Sequence, residues 1–100
     1  MSIKERLARC LGFDWDEGNL PKLWERHKVS ASEFEQIFFN EPLVAASDVK
    51  HSDREERFYA LGHTDAGRPL FVIFTIRNDL IRAVSARDMK RKERREYEKL

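Results

Sequence analysis

The run Leu70-Phe71-Val72-Ile73-Phe74-Thr75-Ile76 constrains this chain most. It is apolar at nearly every position instead of at alternate ones, so as a strand it demands cover on both faces and reads as the central strand of a sheet. Arg77-Asn78-Asp79 supplies a hairpin turn, because Asn and Asp tolerate positive φ and bond to their own backbone. Ile81 to Arg87 then returns antiparallel beside the first run. A dense basic helix, Asp88 to Tyr97, follows directly, so a buried sheet delivers a cluster of guanidinium groups to one edge of the fold.

The remaining elements follow from spacing. Ile3, Leu7, Cys10 and Leu11 share one face of a short helix ending at Gly12, and Phe13-Asp14-Trp15 alternates as a brief edge strand does. Leu20, Leu23, Trp24 and His27 recur at helical spacing behind a cap at Asp16 or Asn19, with Pro21 in the first turn and the end near Lys28. Ser30-Ala31-Ser32-Glu33 has capping-box spacing and opens a helix whose apolar face is Phe34, Ile37 and Phe38, stopped by Asn40-Glu41-Pro42. Leu43–Ala46 and Arg57–Leu61 read as strands, Ser47–Glu55 as a mobile loop and Gly62–Pro69 as a turn. Ser85-Ala86-Arg87-Asp88 has the spacing of a second capping box, for a terminal helix with Met89, Glu93, Tyr97 and Leu100 on one stripe. The expected fold is α+β: a four-stranded antiparallel meander plus a short N-terminal edge strand, two helices packed on it, and a basic C-terminal helix. Its 100 residues suit one domain spanning 1–100, with residues 1–12 as a helical extension.

Composition removes several classes. The one cysteine, Cys10, excludes an internal disulfide framework and suits a reducing cytoplasm. No apolar run approaches the ~20 residues of a membrane span, and Lys4, Glu5, Arg6 and Arg9 interrupt any signal-peptide core. There is no glycine-rich phosphate loop, Cys/His metal cluster, nucleophile elbow or dinucleotide fingerprint. The acidic residues from Asp14 to Glu17 read as helix caps before they read as weak ligands of a divalent ion. No cofactor is expected. Charge is uneven: residues 1–67 hold nine Lys/Arg against thirteen Asp/Glu, whereas residues 68–100 hold ten against five. A basic half of this kind attracts phosphate backbones and an acidic half docks basic partners, although two solvated surfaces have the same composition.

Several short motifs occur in a telling order. Phe13-Asp14-Trp15-Asp16-Glu17 is followed by Arg26-His27 with Val29-Ser30, Phe38 with Pro42-Leu43, and Glu55-Glu56-Arg57-Phe58 with Leu61-Gly62. Gly67-Arg68, Ile81-Arg82, Ser85-Ala86-Arg87 and Glu93-Arg94-Arg95-Glu96-Tyr97 complete the series. Over residues 13–97 the chain resembles the BrnT family of bacterial toxins. The resemblance implies a RelE-like fold and a ribonuclease toxin of a type II toxin–antitoxin module. It also implies a BrnA-like antitoxin partner that carries a ribbon-helix-helix DNA-binding dimer. Two departures stand out: Lys28 replaces a usual Gly, which removes the usual left-handed helix cap, and residues 1–12 are extra.

Cleaving RNA without a metal requires taking a proton from the 2′-hydroxyl, stabilising phosphorane charge and protonating the 5′-oxygen. His51 and His63 fall in predicted loops without partners at informative spacing, and His27 reads as a helix-end residue against Trp24. A RelE-like site relies on arginines and a tyrosine, and guanidinium forks grip two phosphate oxygens at any relevant pH. Arg57 on the third strand, Arg77 at the hairpin, Arg82 on the last strand and Arg87 at the strand-to-helix junction are the candidates. Tyr97 adds base stacking or proton transfer, Glu93 a base, and Arg91, Arg94 and Arg95 contacts to RNA. Each has a bland alternative: Arg57 paired with Glu55 or Glu56, Arg82 with Asp79, Glu93 in a helix ion pair, Tyr97 in the core. A strand edge or a groove of Trp15, Trp24 and Tyr97 would anchor an antitoxin helix, and an exposed edge also permits a homo-oligomer. The alternatives to a nuclease are a catalytically inactive antitoxin-binding module of the same fold and a plain nucleic-acid-binding protein.

Overall fold

The central hairpin forms. A computed structural model describes residues 1–52 and 54–100, with strands β4 (Pro69–Arg77) and β5 (Leu80–Asp88) paired antiparallel. Arg77 pairs with Leu80, so the turn is only Asn78-Asp79, both left-handed at φ 52° and 59°. These are the residues that tolerate positive φ, and the tight turn matches the twist of the strands. Strands β1 (Gly12–Phe13), β2 (Val44–Ser47) and β3 (Phe58–His63) complete a sheet of order β1-β5-β4-β3-β2, in which only β1 runs parallel to its neighbour.

Helices α2 (Leu20–His27) and α3 (Ala31–Gln36) cover one face of this sheet. Leu70, Val72 and Phe74 are fully buried there against Val29, Phe34 and Ile37. The two-sided burial expected for the central strand does not occur, because Phe71 and Ile73 on the opposite face are only half-buried. Phe71 is covered by its neighbours instead, with Tyr59 stacked beside it at 5.8 Å and the Arg87 guanidinium 4.2 Å above its ring. A bulge sits in β5: Ser85 pairs with Ile73 but Ala83 with Phe74, so Val84 is the extra residue.

Several boundaries differ from the sequence reading for physical reasons. Helix α1 (Ile3–Arg9) stops before Gly12 because the Leu11 amide donates to the Asp79 carbonyl at 2.7 Å, which draws the chain onto the hairpin as β1 and leaves Leu11 exposed. Asn19 precedes α2 but does not cap it; its amide spans the Asp14 and Ala83 carbonyls, while the Asp16 carboxylate accepts from the Gly18 and Asn19 amides. Ser85–Asp88 is strand, not a capping box, because those residues pair with Leu70–Ile73. The terminal helix α4 (Arg91–Glu98) therefore starts three residues later than expected, with the Glu93 carboxylate accepting from the Lys90 amide at 2.8 Å. Strand β3 runs on through Gly62 and His63, and Arg57 precedes it. Of the expected loop Ser47–Glu55, Ser47 ends β2, Val49–His51 is a 3₁₀ turn, and residue 53 lies outside the described residues. The α3 capping box forms as expected, with Ser30 and Glu33 bonding reciprocally at 3.0 Å.

Arg68 fastens the helices to the sheet. Its guanidinium donates to Asp88 at 2.6 and 3.2 Å, to Glu33 at 3.1 Å, and to the carbonyls of Lys28 (2.9 Å) and His27 (3.1 Å). The α2–α3 turn keeps a left-handed cap although a lysine occupies it: Lys28 lies at φ 54°, a conformation that costs an L-residue roughly 1–2 kcal/mol. Arg68 bonds the carbonyl of that strained residue.

Two outcomes follow. A methyl added at Gly62 would lie 2.9 Å from Ile37 Cβ, so Gly62→Ala should cost about 1–3 kcal/mol, read as a drop of roughly 4–8 °C in Tm per kcal/mol. Arg68→Ala should cost about 1–2 kcal/mol near neutrality, because it removes several bonds at once from the half-buried Glu33 and from more exposed partners, Asp88 and two carbonyls. Arg68 holds the Asp88 carboxyl below its ordinary value of 3.8. Burial alone would raise Glu33, but the Ser30 amide and Arg68 outweigh it and bring that group below 4.5. Carboxyls depressed by folding stabilise fully above their ordinary values and lose that contribution as pH falls through the folded ones. The gap between wild type and Arg68→Ala, measured by urea unfolding, should therefore be widest above about pH 4.5 and close as the solution becomes more acidic.

Candidate active site

The uncovered face of the sheet ends in a cleft of about 460 Å³. Strand alternation places Thr75 and Arg77 of β4 and Arg82 of β5 on this face, and the bulged Val84 adds to the wall. The segment leading into β3 contributes Arg54, Glu55 and Arg57, and the 3₁₀ turn contributes His51. Four arginines thus surround one small opening.

Their partners differ, and the differences set what each can do. Arg82 is braced by Asp16 at 2.5 Å and Asp14 at 3.4 Å, not by Asp79. Its hydrogen bond and the Asn19 amide hold the Asp16 carboxyl below its ordinary range. Arg77 donates through Nε to Glu55 Oε2 at 2.6 Å, which keeps Glu55 ionised and raises Arg77 in turn. Glu56 bonds Arg6 of α1 at 2.9 Å. Both carboxylates expected near Arg57 are therefore engaged elsewhere, and Arg57 has no acidic partner among the described residues.

At the floor lies Thr75, only 3% exposed. Its hydroxyl lies close enough to Glu55 to help lower that carboxyl, but it completes no hydrogen bond among the described residues.

The other residues singled out from sequence form a second group beside α4. Arg87 is still within β5, and both its terminal nitrogens bond Glu93, at 2.8 and 2.9 Å. Arg87 in turn holds Glu93 below the ordinary carboxylate range. Tyr97 is buried; its hydroxyl donates to the Pro42 carbonyl at 2.6 Å and meets His63 Nδ1 at 2.7 Å, and burial pushes its pKa up. His63 thus has a partner 34 positions away that no local spacing shows. Arg91, Arg94 and Arg95 project from the exposed side of α4. The three aromatic residues expected to share a groove are held separately: Trp15 packs edge-on against Phe34 and bonds Glu35, Trp24 is exposed beneath the Lys28 ammonium, and Tyr97 is buried.

Sequence reasoning did not bring His51, Arg54, Glu55 and Thr75 to the cleft that they line. One local signal for His51 was present: Asp48 stands three positions earlier, and its carboxylate meets His51 Nδ1 at 3.1 Å. Thr75 was hidden inside an apolar run, where a threonine reads as one more β-branched strand residue.

The chemistry on offer is anion binding by fixed guanidinium groups beside an imidazole and a carboxylate. No curated protein matches the chain. A family model described as ribonuclease toxin, BrnT, of type II toxin–antitoxin system matches residues 15–93, a stretch that holds every residue lining the cleft. The chain belongs to the BrnT family of ribonuclease toxins of type II toxin–antitoxin systems.

Proposed function

We propose that the protein is an endoribonuclease whose substrate phosphate binds in the cleft on the uncovered sheet face. The observation that carries this reading is Arg57, Arg77 and Arg82 gathered around one cleft beside the buried Thr75 hydroxyl. Arg82 is pre-positioned by two aspartates, and Arg77 has its terminal nitrogens left for a phosphate fork. Preorganised cations in a site partly screened from water stabilise phosphorane charge with little reorganisation, so the rate does not depend on an added metal.

Arg87, Phe71 and Tyr59 continue the same face toward α4, where Arg91, Arg94 and Arg95 extend the positive surface. In this reading the flanking RNA runs from the cleft across that face to α4, with Arg87, Glu93 and Tyr97 shaping the far end. The toxin acts in the cytoplasm, where its RNA is, and a BrnA-like antitoxin with a ribbon-helix-helix DNA-binding part silences it by covering the cleft. Family membership and the basic opening support that partner.

Purified, antitoxin-free protein should cleave total RNA in EDTA. Arg57→Ala and Arg82→Ala should each lower the rate by about 100-fold or more. Arg57 is exposed and unpaired among the described residues, so its variant should melt within about 0.5 kcal/mol of wild type. Arg82→Ala also frees Asp14 and Asp16, and circular dichroism should separate a loss of fold from a loss of cleavage. Folded wild type that leaves RNA intact overturns the reading.

A further inference from the structure

An arginine cleft alone leaves the two proton transfers of RNA cleavage without carriers. Two side chains lining it have one polar atom tied to the protein and another left over. His51 bonds Asp48 through Nδ1, at 3.1 Å, and its Nε2 has no partner among the described residues. Asp48 fixes the ring as an orienting carboxylate does, with Nδ1–H toward it and Nε2 available for proton exchange. Glu55 accepts from Arg77 through Oε2, with the Thr75 hydroxyl nearby, and among the described residues Oε1 completes no hydrogen bond and is left to accept a proton. Glu93 and Tyr97 contrast with both: the two Glu93 oxygens are held by Arg87, and the Tyr97 hydroxyl is held by Pro42 and His63.

We propose that Glu55 and His51 are the proton-transfer pair of the cleavage, Glu55 as base toward the 2′-hydroxyl and His51, positioned by Asp48, as acid toward the 5′-oxygen. The proposal rests on the cleft being the nuclease site. The 2′-O–H bond breaks and its proton passes to Glu55 Oε1 while the 2′-oxygen bonds phosphorus. The bond from phosphorus to the 5′-oxygen breaks, and that oxygen takes the proton from His51 Nε2. The products are a 2′,3′-cyclic phosphate and a 5′-hydroxyl, and exchange with water returns the proton from Glu55 to His51. Arg57, Arg77 and Arg82 bear the charge of the pentavalent intermediate, and substrate phosphate takes the terminal nitrogens of Arg77 without removing its bond to Glu55.

The test uses a synthetic RNA spanning the principal cut that wild type makes in total RNA, in EDTA and at single turnover. The same RNA is also made with sulfur in place of the bridging 5′-oxygen at that cut, because a thiolate leaves without needing a proton. On the oxygen substrate, His51→Ala, His51→Gln and Glu55→Gln should each lose about 10²- to 10⁴-fold. On the sulfur substrate both His51 variants should recover most of that loss and Glu55→Gln should not. Asp48→Asn should show a smaller loss that sulfur also recovers. All should bind the 2′-O-methyl form of the RNA as wild type does. If wild type cleaves and Arg82→Ala does not, but the His51 and Glu55 variants keep wild-type rates, the pair is wrong and the nuclease reading stands. A His51 defect that sulfur fails to recover also removes the acid assignment. Wild type inert toward RNA overturns both.

Discussion

A strand that is apolar on both sides has to be covered twice, and this chain supplies a helical layer for only one. Leu70, Val72 and Phe74 take that layer and disappear beneath α2 and α3. Phe71, on the other side, is shielded by single side chains: Tyr59 beside it and Arg87 above it, with α4 at the rim. A guanidinium over an aromatic face gives cover while keeping its charge in water. The same face can therefore be hydrophobic near β3 and strongly cationic near the hairpin. The cleft lies at the cationic end, where no helix covers the sheet.

The chain holds nearly equal numbers of basic and acidic residues, nineteen against eighteen, so pairing decides which arginines keep free donors. Arg68 is committed to structure, with two carboxylates and two carbonyls at the junction of α2, α3 and β5. Arg82 is held in place by Asp14 and Asp16 while facing the cleft. Among the described residues Arg57 is left over, since its neighbours are taken, Glu55 by Arg77 and Glu56 by Arg6. Exposed pairs of this kind are worth only about 0–1 kcal/mol, so they aim side chains without locking them.

Helix α1 has a part in this although it lies outside the family match. Arg6 holds Glu56 and stacks on Phe58 at 4.9 Å, and Lys4 bonds the Leu43 carbonyl. The Arg6–Glu56 pair thus ties the N-terminal extension to the segment leading into β3. Its apolar residues also wall a smaller cleft of about 220 Å³ with Phe13, Phe38 and Phe39.

The sequence by itself determined what local physical chemistry decides: the central hairpin with its Asn78-Asp79 turn, the Ser30–Glu33 capping box, the α+β class and the motif order of the family. Arg57, Arg77 and Arg82 were legible as candidates because a guanidinium fork suits two phosphate oxygens, and the structure gathers all three at one cleft. Local reasoning failed where a nearby pattern competed with strand pairing. Ser85–Asp88 had capping-box spacing, but ladder bonds to β4 claimed the same backbone groups, and Leu11 left its helix for the Asp79 carbonyl. Only the tertiary structure decided which carboxylate took which arginine, over separations of 20 to 68 residues for Arg68 with Asp88, Arg77 with Glu55, and Arg82 with Asp14. It alone put the buried Thr75 beside Glu55 in a cleft, and it divided one list of candidate residues into a cleft group and an α4 group. Ion pairs and burial depend on which surfaces meet, and that is set by packing across the sheet, not by order along the chain.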